Sequence, residues 1–583
     1  MGVLLLVSLV GYLFAYNVFV RRDEAFFPVV FCSFTVAVSF ILGLIGPLFV
    51  APYLVVGIGV VLLPVSLIRS EDVRSLLLRS LVHPVVLFMV FGGIWAYVIT
   101  RGVGISHRDD LSHWYRMCKA LFYDGSFPRT PDITFVSYVP GTGLFAAFVS
   151  RFLGFCTSNC FFAQSFIDLS CCASLLAVIP SSVSRMRKAV LYICVCLVSV
   201  FLCALDVSTY CLLVDCTIGL VAMAAGIYVL SRDSFSVVDL VTLSLMFTLL
   251  VLIKTSGLLL CVFVLALLLR SSGKKGVLVL AVPLLFVVLY FLRQRYFYPD
   301  IGMSDQSVSV ERFSSLAGGK SSSLITGVLC DTFIKALPVI GRCAQVNIFW
   351  ICMVAWGLVE YKSSSKSSPR RFTLYFIAVY FIYTACLAGT YVFSMNEEEA
   401  AGLACYYRYM GTAVVYISGL VCYLILKRIG GSSDKARLYG TLGFVSAVVV
   451  VSNVLLSSGY VLGYRSYVPV EAYSTGAWEG ISSYVPENTS YSSAHYVVVW
   501  DDDIVFDDGV LGHKVQELAE AYLRSDNVYT LTYNYIDRIG LSGEAEEALS
   551  SADYIVVVGQ VDDRISSLGG YTSSGTVVSG INE

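Results

Sequence analysis

The residues best suited to chemistry lie in one stretch of ten, 107–116, which directly follows an apolar segment (81–100) long enough to span a bilayer. This stretch holds two adjacent carboxylates, Asp109 and Asp110, with two histidines, two arginines and Trp114. Two carboxylates side by side raise each other's pKa, because like charges repel. The pattern favours a general base at a membrane surface. The alternative is a solvated loop whose tryptophan sits at the lipid interface.

Further ionisable residues fall at predicted outer ends of apolar segments, where ionisable groups are candidates for function. They are Asp206, Asp215, Lys254, Arg293, Arg295, Arg408 and the run Glu397-Glu398-Glu399. Taken alone, each residue is as compatible with a structural role as with a functional one. The structural role would be a side chain that extends to water or a member of an ion pair. The prediction that all of these residues lie on the same side of the membrane depends partly on the topology assigned below.

Two of these cations have informative neighbours. Lys254 interrupts an otherwise apolar stretch, 238–270, within Ile253-Lys254-Thr255-Ser256-Gly257, which places it at the turn of a helical hairpin. Arg408 stands among tyrosines in Tyr406-Tyr407-Arg408-Tyr409. Either cation could bind a phosphate at the membrane surface.

The composition is that of a polytopic membrane protein. The 583 residues are 57% hydrophobic and 14% charged, with a mean hydropathy of +0.78, which lies outside the range of soluble domains. No basic block indicates nucleic-acid binding. The predicted spans are 3–20, 26–45, 48–68, 82–100, 138–155, 161–180, 189–206, 211–230, 237–253, 256–270, 276–292, 346–360, 372–391, 408–427 and 438–458.

Basic loops set the predicted orientation, because cytoplasmic loops carry an excess of Lys and Arg. The segments 101–137 and 294–345 and the tail after 459 are then predicted outside. One conflict of parity remains, because 101–137 cannot be outside and the basic loop 181–188 inside if 138–155 and 161–180 both span. The sequence Val139-Pro140-Gly141-Thr142-Gly143 makes the first of them the better candidate for an irregular or interfacial segment.

Two outer segments have a character of their own. In 294–345, the Ser- and Gly-rich part 304–323 predicts a mobile segment, and 324–340 predicts a short surface helix. The tail from 464 holds 19 acidic and 5 basic residues, a net charge of −14 that leaves +12 for the rest of the chain. Strand patterns at 494–500, 527–533 and 554–559 alternate with helical patterns at 511–524 and 542–551, which predicts a small α/β domain.

The ordered set of these features resembles the GT-C superfamily of integral membrane glycosyltransferases, which includes protein O-mannosyltransferases and aminoarabinose transferases. The resemblance covers about 80–460. It is carried by Asp109-Asp110 after a span, Tyr138-Val139-Pro140-Gly141 opening the next segment, Tyr210 to Asp215 starting a later helix, Lys254-Thr255-Ser256-Gly257, and Tyr407-Arg408-Tyr409. The chain departs from many members in having three spans before the helix that precedes the acidic loop.

The spans, the tail pattern and the resemblance together predict an α-helical polytopic membrane protein with about 14 transmembrane helices, GT-C-like: a transmembrane glycosyltransferase domain, 1–463, and an extracytoplasmic α/β domain, 464–583. The resemblance also implies a polyprenyl-phosphate sugar donor and a glycan, lipid or protein acceptor on the non-cytoplasmic face. The expected location is a plasma membrane, of bacterial type and tied to cell-wall or surface-polysaccharide assembly.

The resemblance and the chemistry of the residues predict individual roles. Asp109 is the expected base of an inverting transfer, since the first acid of the pair serves so in that family. Asp110 is its catalytic neighbour, which positions Asp109 or binds the acceptor or a metal. The expected substrate-binding residues are His113, Asp215, Lys254, Arg295 and Arg408. A divalent metal stays open, because Asp109 and His113 are four residues apart and would share a helix face, but two ligands are too few to assign one.

Two other classes of function compete with this interpretation. A polysaccharide polymerase or ligase of another fold would centre its outer loops on Arg and His, whereas these loops centre on carboxylates. A transporter would place its charges near the bilayer midplane and show repeated halves. This sequence clusters its charges at one face and has no visible repeat.

Overall fold

A computed structural model describes residues 2–21, 23–70, 72–103, 105, 109–127, 138–180, 183–205, 211–297, 310–338, 343–361, 369–430, 440, 443, 446, 495–500, 527–532, 551–558 and 577–581. Helices dominate this part of the chain, as the hydropathy pattern predicts. Eight helical segments in it are long and apolar enough to cross a membrane, and six shorter apolar helices accompany them. The predicted span 438–458 lies almost wholly outside the described residues, and so does Asp206.

The helices of the first half follow the predicted spans closely. They are α1 (Gly2–Ala15, continued by a π turn, Tyr16–Val20), α2 (Phe27–Ile45), α3 (Ala51–Arg69), α4 (Val73–Leu81), α5 (Pro84–Thr100), α6 (Tyr115–Tyr123), α7 (Gly141–Leu153), α8 (Thr157–Ala173), α9 (Arg185–Cys203) and α10 (Asp215–Leu230).

The second half continues the bundle. It contains α11 (Val237–Ile253), α12 (Gly257–Ser272), α13 (Ala281–Phe297), α14 (Val310–Gly318), α15 (Ser322–Lys335), α16 (Ala344–Tyr361), α17 (Pro369–Phe393), α18 (Glu397–Gly402) and α19 (Tyr406–Gly430).

The bundle has two chemically different ends. At one end, called the site face here, α5 and α11 end while α10 and α19 begin, and side chains from these helix ends form ion pairs with one another. At the opposite end, called the basic face, α10 and α19 end and α11 begins. The basic pair Lys427 and Arg428 closes α19 there, in keeping with the predicted alternation of basic loops.

Helix α7 resolves the conflict of parity, because both of its ends lie at the site face. Its first residue, Gly141, lies so close to the end of α11 that a Cβ would meet the Leu252 carbonyl oxygen at 2.5 Å. Three residues after α7, α8 begins, and the Ser158 Oγ there accepts a hydrogen bond from the Gly102 backbone N–H (3.0 Å), just past the end of α5. Helix α7, which is about 20 Å long, therefore runs along the site face and does not cross the bundle.

The segment between α13 and α16 is more helical than its composition predicts. Helix α15 confirms the short surface helix, and α14 lies inside the Ser- and Gly-rich stretch. Residues 304–309 of that stretch lie outside the described residues, and its mobility stays a prediction. The junction of α14 and α15 is fixed by the buried Lys320, whose Nζ donates to the carbonyl oxygens of Val392 (2.9 Å) and Met395 (2.7 Å). A buried cation that satisfies backbone oxygens at the end of α17 holds the segment in place.

The tail contains a four-stranded parallel sheet in the order β2-β1-β3-β4, formed by β1 (His495–Trp500), β2 (Asn527–Thr532), β3 (Tyr554–Val558) and β4 (Val577–Ile581). The first three strands were predicted and β4 was not. Parallel pairing requires crossover connections between neighbouring strands, in agreement with an α/β unit. The predicted helices of the tail lie outside the described residues, apart from Ser551.

Candidate functional site

Four charged side chains from four separate parts of the chain meet at the site face. The Arg408 Nη1 donates to the Asp109 Oδ2 at 2.8 Å, and its Nε lies 3.2 Å from the Asp215 Oδ2. The other oxygen of Asp215 accepts a hydrogen bond from the Lys254 Nζ at 2.9 Å. Asp215 therefore bridges the two cations, and Arg408 bridges the two carboxylates.

The helix ends explain why these side chains meet. Asp215 is the first residue of α10, where a carboxylate is favoured by the partial positive charge of a helix N-terminus. Lys254 follows the last residue of α11, and Arg408 stands in the first turn of α19. The Thr412 Oγ1, one turn further along α19, donates to the Asp215 carbonyl oxygen (2.9 Å) and fixes α19 against α10.

The four side chains differ in their access to solvent. The exposed fraction of the side chain is 36% for Asp109, against 17% for Arg408, 16% for Lys254 and 4% for Asp215. Burial acts to lower the pKa of Lys254, but the Asp215 carboxylate and two nearby tyrosines raise it by more, so Lys254 is held as a cation. The cluster therefore presents one accessible carboxylate in front of two partly buried cations.

Asp110 has a different environment from its neighbour. Its side chain is fully buried, and both of its oxygens lie 3.0 Å from the Leu212 backbone N–H. Burial raises the pKa of Asp110 well above its usual range, although the Leu212 N–H acts in the opposite direction. Asp110 thus joins the acidic loop to the segment that leads into α10.

That same segment is held from the other side by Gln164 of α8, a residue that the sequence analysis did not single out. Its Nε2 donates to the carbonyl oxygens of Leu213 (2.8 Å) and Cys211 (3.3 Å). The signal available in the sequence was an amide side chain within an apolar span, because such a side chain needs polar partners when it is buried.

His113 lies within a π-helical turn, Asp110–Trp114, which continues into α6. Its ring is fully buried and packs edge to face against Trp114 (4.6 Å between ring centroids) and Tyr138 (5.0 Å). Burial, with Arg116 and Lys254 acting in the same direction, lowers the pKa of His113 to about 3. Its predicted role in substrate binding stays a prediction.

Tyrosines line the cation pair, as the sequence around Arg408 suggested. The Tyr409 ring lies 5.1 Å from the Lys254 Nζ and 5.2 Å from the Arg408 Cζ. Its own backbone is fixed by a hydrogen bond from the Tyr383 Oη (3.0 Å). The Tyr409 ring therefore stabilises both cations and helps to hold them next to each other.

The remaining predicted residues lie elsewhere. Arg295, in the last turn of α13, is exposed, and within the described residues no ion pair links it to the cluster. Its neighbour Arg293 stacks over Phe127 and Phe297. Glu397, Glu398 and Glu399 form the first turn of the short helix α18, which is capped by Asn396. The role of Arg295 in substrate binding stays a prediction.

The described part of the chain contains no group of three or more His, Cys, Asp or Glu residues arranged to hold a metal ion. The cluster is instead built from ion pairs. Arginine and lysine held at one point are the groups that proteins use to bind phosphate.

Neither a protein-family model nor a curated protein sequence matches the chain. Among solved structures, ArnT from Cupriavidus metallidurans, bound to undecaprenyl phosphate, is similar to it with a TM-score of 0.43 and 14% sequence identity. The matched region covers 85% of this chain and 89% of that chain. At this level of likeness no residue role passes from that protein to this chain.

Proposed function

We propose that this protein is a membrane glycosyltransferase that moves a sugar from a polyprenyl-phosphate donor to a hydroxyl-bearing acceptor at the site face. The observation that carries the proposal is the cluster of Asp109, Asp215, Lys254 and Arg408 at the ends of apolar helices. Such a place is within reach of both a lipid phosphate and water-borne or lipid acceptors.

Asp109 is the proposed general base. It is the most exposed of the four charged side chains, so an acceptor hydroxyl can reach it. In an inverting transfer the hydroxyl oxygen bonds to the anomeric carbon while the bond from that carbon to the phosphate oxygen breaks. The hydroxyl proton passes to Asp109, and the bonding electron pair leaves with the lipid phosphate.

Lys254 and Arg408 are the proposed partners of that phosphate. A polyprenyl phosphate leaves with negative charge, and preorganised cations aimed at developing charge lower the barrier most. The short Arg408–Asp109 pair has a consequence for this step. A phosphate that binds Arg408 competes with Asp109 for the same guanidinium. Donor binding would thereby free the Asp109 carboxylate to meet the acceptor hydroxyl.

Asp110 and His113 are the proposed supports of the site. A fully buried carboxylate on the Leu212 N–H and a fully buried imidazole between two rings contact protein groups. Both side chains hold the acidic loop in the position from which Asp109 reaches Arg408. Asp215 keeps the two cations together by accepting from one and pairing with the other.

The geometry also weighs against the competing functions. In a transporter the charges would lie near the bilayer midplane, whereas these stand at the ends of α10, α11 and α19. A polymerase or ligase of another fold would centre its site on Arg and His, whereas this cluster combines two cations with the carboxylates Asp109 and Asp215. We further propose that the site face is extracytoplasmic, because Lys427 and Arg428 stand at the opposite end of α19.

Binding of polyprenyl phosphate to the purified protein in lipid nanodiscs tests the proposal. Lys254→Ala and Arg408→Ala should each weaken binding by about 1.5–3 kcal/mol, or roughly 10- to 150-fold, the free energy of a charged hydrogen bond. The matched control is Arg428→Ala, which removes a cation from the opposite end of α19 and should leave the affinity unchanged.

Transfer from a panel of polyprenyl-phosphate hexoses and pentoses is the companion measurement, with free polyprenyl phosphate as the detected product. If both cluster variants bind polyprenyl phosphate as tightly as Arg428→Ala, the two cations are structural. The proposed donor class is then wrong.

A further inference from the structure

The basic face carries a second polar site, separate from the cluster. A cavity of about 510 Å³ opens where α1 and α10 end, where α11 begins and where α19 ends. Its charged lining consists of Arg21, Asp23, Arg232, Asp233 and Lys427. This volume is within the range of cavities that hold small molecules, and nothing in the proposed transfer uses it.

The back wall of this cavity is rigid. The Arg232 Nε pairs with the Asp239 Oδ1 at 2.9 Å, its Nη1 donates to the Ser231 Oγ (2.8 Å), and its Cζ lies 3.7 Å from the centre of the Tyr228 ring. Asp239 in turn forms a reciprocal capping box with Ser236 at the start of α11. The charge of Arg232 is therefore balanced inside the protein.

Among the described residues, the front of the cavity holds two cations, Arg21 and Lys427, and two carboxylates, Asp23 and Asp233, all four of them exposed. Several of these groups are anchored to the backbone. The Lys427 Nζ donates to the Leu230 carbonyl oxygen (2.8 Å), the Arg21 Nε to that of Val18 (2.9 Å), and the Asp23 Oδ1 accepts from the Ala25 N–H (2.9 Å). A wall that holds both cations and carboxylates matches a ligand that carries both signs, and a simple anion would meet repulsion from the carboxylates.

The surroundings indicate that such a ligand reaches the cavity from the lipid. The residues beside its lining include Phe19, two positions before Arg21, and Val237, directly after Ser236. Both are exposed apolar side chains on helices of the bundle, as expected for residues that face acyl chains. A headgroup in the cavity would leave its chains against such a surface.

We infer that this cavity binds the phosphoethanolamine headgroup of a phospholipid, with its phosphate on Lys427 and Arg21 and its ammonium on Asp23 and Asp233. A primary ammonium offers three N–H donors to carboxylates. A quaternary choline offers none and is recognised by cages of several aromatic rings, whereas Tyr423 is the one aromatic residue among the described residues of the lining.

The test is lipid binding by the full-length protein, measured by native mass spectrometry after release from vesicles of defined composition. Vesicles hold phosphatidylethanolamine, phosphatidylcholine or phosphatidylglycerol as the varied component. We expect the wild type to retain phosphatidylethanolamine about tenfold more than either of the others. Lys427→Gln and Asp233→Asn should abolish this preference, while Arg428→Gln, the adjacent residue outside the lining, should keep it.

The headgroup could come from a phospholipid or from a soluble compound, and O-phosphoethanolamine distinguishes these two sources. If the ligand is the lipid, the soluble compound should compete only at concentrations far above those of the lipid. Competition by the soluble compound without retention of the lipid would overturn the lipid assignment. Equal retention of the three lipids by the wild type, or an unchanged preference in both Lys427→Gln and Asp233→Asn at normal thermal stability, would overturn the site itself.

Discussion

Arg408 and Arg232 stand at opposite ends of the bundle and are built from the same parts. Each pairs with an aspartate and lies near a tyrosine ring, Tyr409 for the first and Tyr228 for the second. Their aspartates differ. Asp239 has no exposed side-chain surface, while the exposed fraction of the Asp109 side chain is 36%.

The number of partners separates the two ends further. Asp239 accepts hydrogen bonds from the Tyr228 Oη, the Arg232 Nε and both the N–H and the Oγ of Ser236. Such a carboxylate is saturated and fixed, so it can serve only the fold. Arg408 divides its charge between Asp109 and Asp215, and an accessible, shared pair can exchange one partner for a substrate group. Burial and saturation, and not the residue types, thus mark which ion pair is available for chemistry.

The largest effect should come from Asp109→Asn, which keeps the size of the side chain and removes its basicity. General base catalysis contributes about 10²–10⁴-fold, so turnover with the true substrate pair should fall by that factor while thermal stability stays near that of the wild type. The measurement is sugar transfer from a polyprenyl-phosphate donor by the purified variant. Full turnover in Asp109→Asn would remove Asp109 from the chemistry.

Asp239→Asn should show the opposite behaviour. The amide nitrogen of Asn cannot accept a hydrogen bond, so the donors that face this atom lose their acceptor. The Arg232 cation also loses its counter-charge. Breaking a buried pair from one side costs about 3–5 kcal/mol of folding free energy. The melting temperature in detergent should drop clearly, while the turnover of the folded fraction is retained. A variant as stable as the wild type would contradict the structural role of this pair.

Asp110 lies between the proposed catalytic role of Asp109 and the structural role of Asp239, and two substitutions separate its contribution to stability from a contribution to turnover. Asp110→Ala leaves the buried Leu212 N–H without this acceptor, at a cost of about 1–3 kcal/mol. Asp110→Asn keeps an oxygen for that N–H and should cost less. Thermal melts of both variants, with turnover of the folded protein, check the prediction. A loss of turnover in Asp110→Asn equal to that in Asp109→Asn would make Asp110 a catalytic residue.

The smallest effect concerns His113 and pH. Its pKa is about 3 in the folded protein against an ordinary value of 6.5, so between these values the unfolded chain binds one more proton. Its contribution to stability is complete above pH 6.5 and decreases as the pH falls toward 3. In thermal melts at a series of pH values, the stability of His113→Gln should fall less than that of the wild type as the pH is lowered from 6.5 toward 3. Parallel pH profiles of the two proteins would show that the imidazole is not held neutral by the fold.

Much of the helical framework was predictable from the sequence, because apolar runs of membrane-spanning length have few other stable structures in lipid. Segment 237–253 was predicted with the bounds that α11 has. Helix α7 was predicted as a span with an irregular alternative, and its position along the site face depends on the close approach of Gly141 to Leu252. Strand β4 was missed, because a short strand with Gly and Ser carries little pattern of its own.

The site could be predicted only as a set of residue types. Asp109, Asp215, Lys254 and Arg408 were singled out because ionisable residues at membrane depth are candidates for function. Gln164, which fixes the segment before α10, was not singled out, since a single amide in an apolar helix gives no hint of its partner. Which of the two adjacent carboxylates meets a cation depends on contacts from distant parts of the chain.

The membrane character, the two chemically different ends of the bundle and the small set of charged residues at one of them follow from local composition and periodicity. The pairings among those residues do not. Folding brings Arg408 to Asp109, 299 positions away, buries Asp110 beside Leu212, and joins both cations through Asp215. The physical reason is that burial and charge pairing depend on which helix ends meet, and those ends are brought together by packing across the whole bundle.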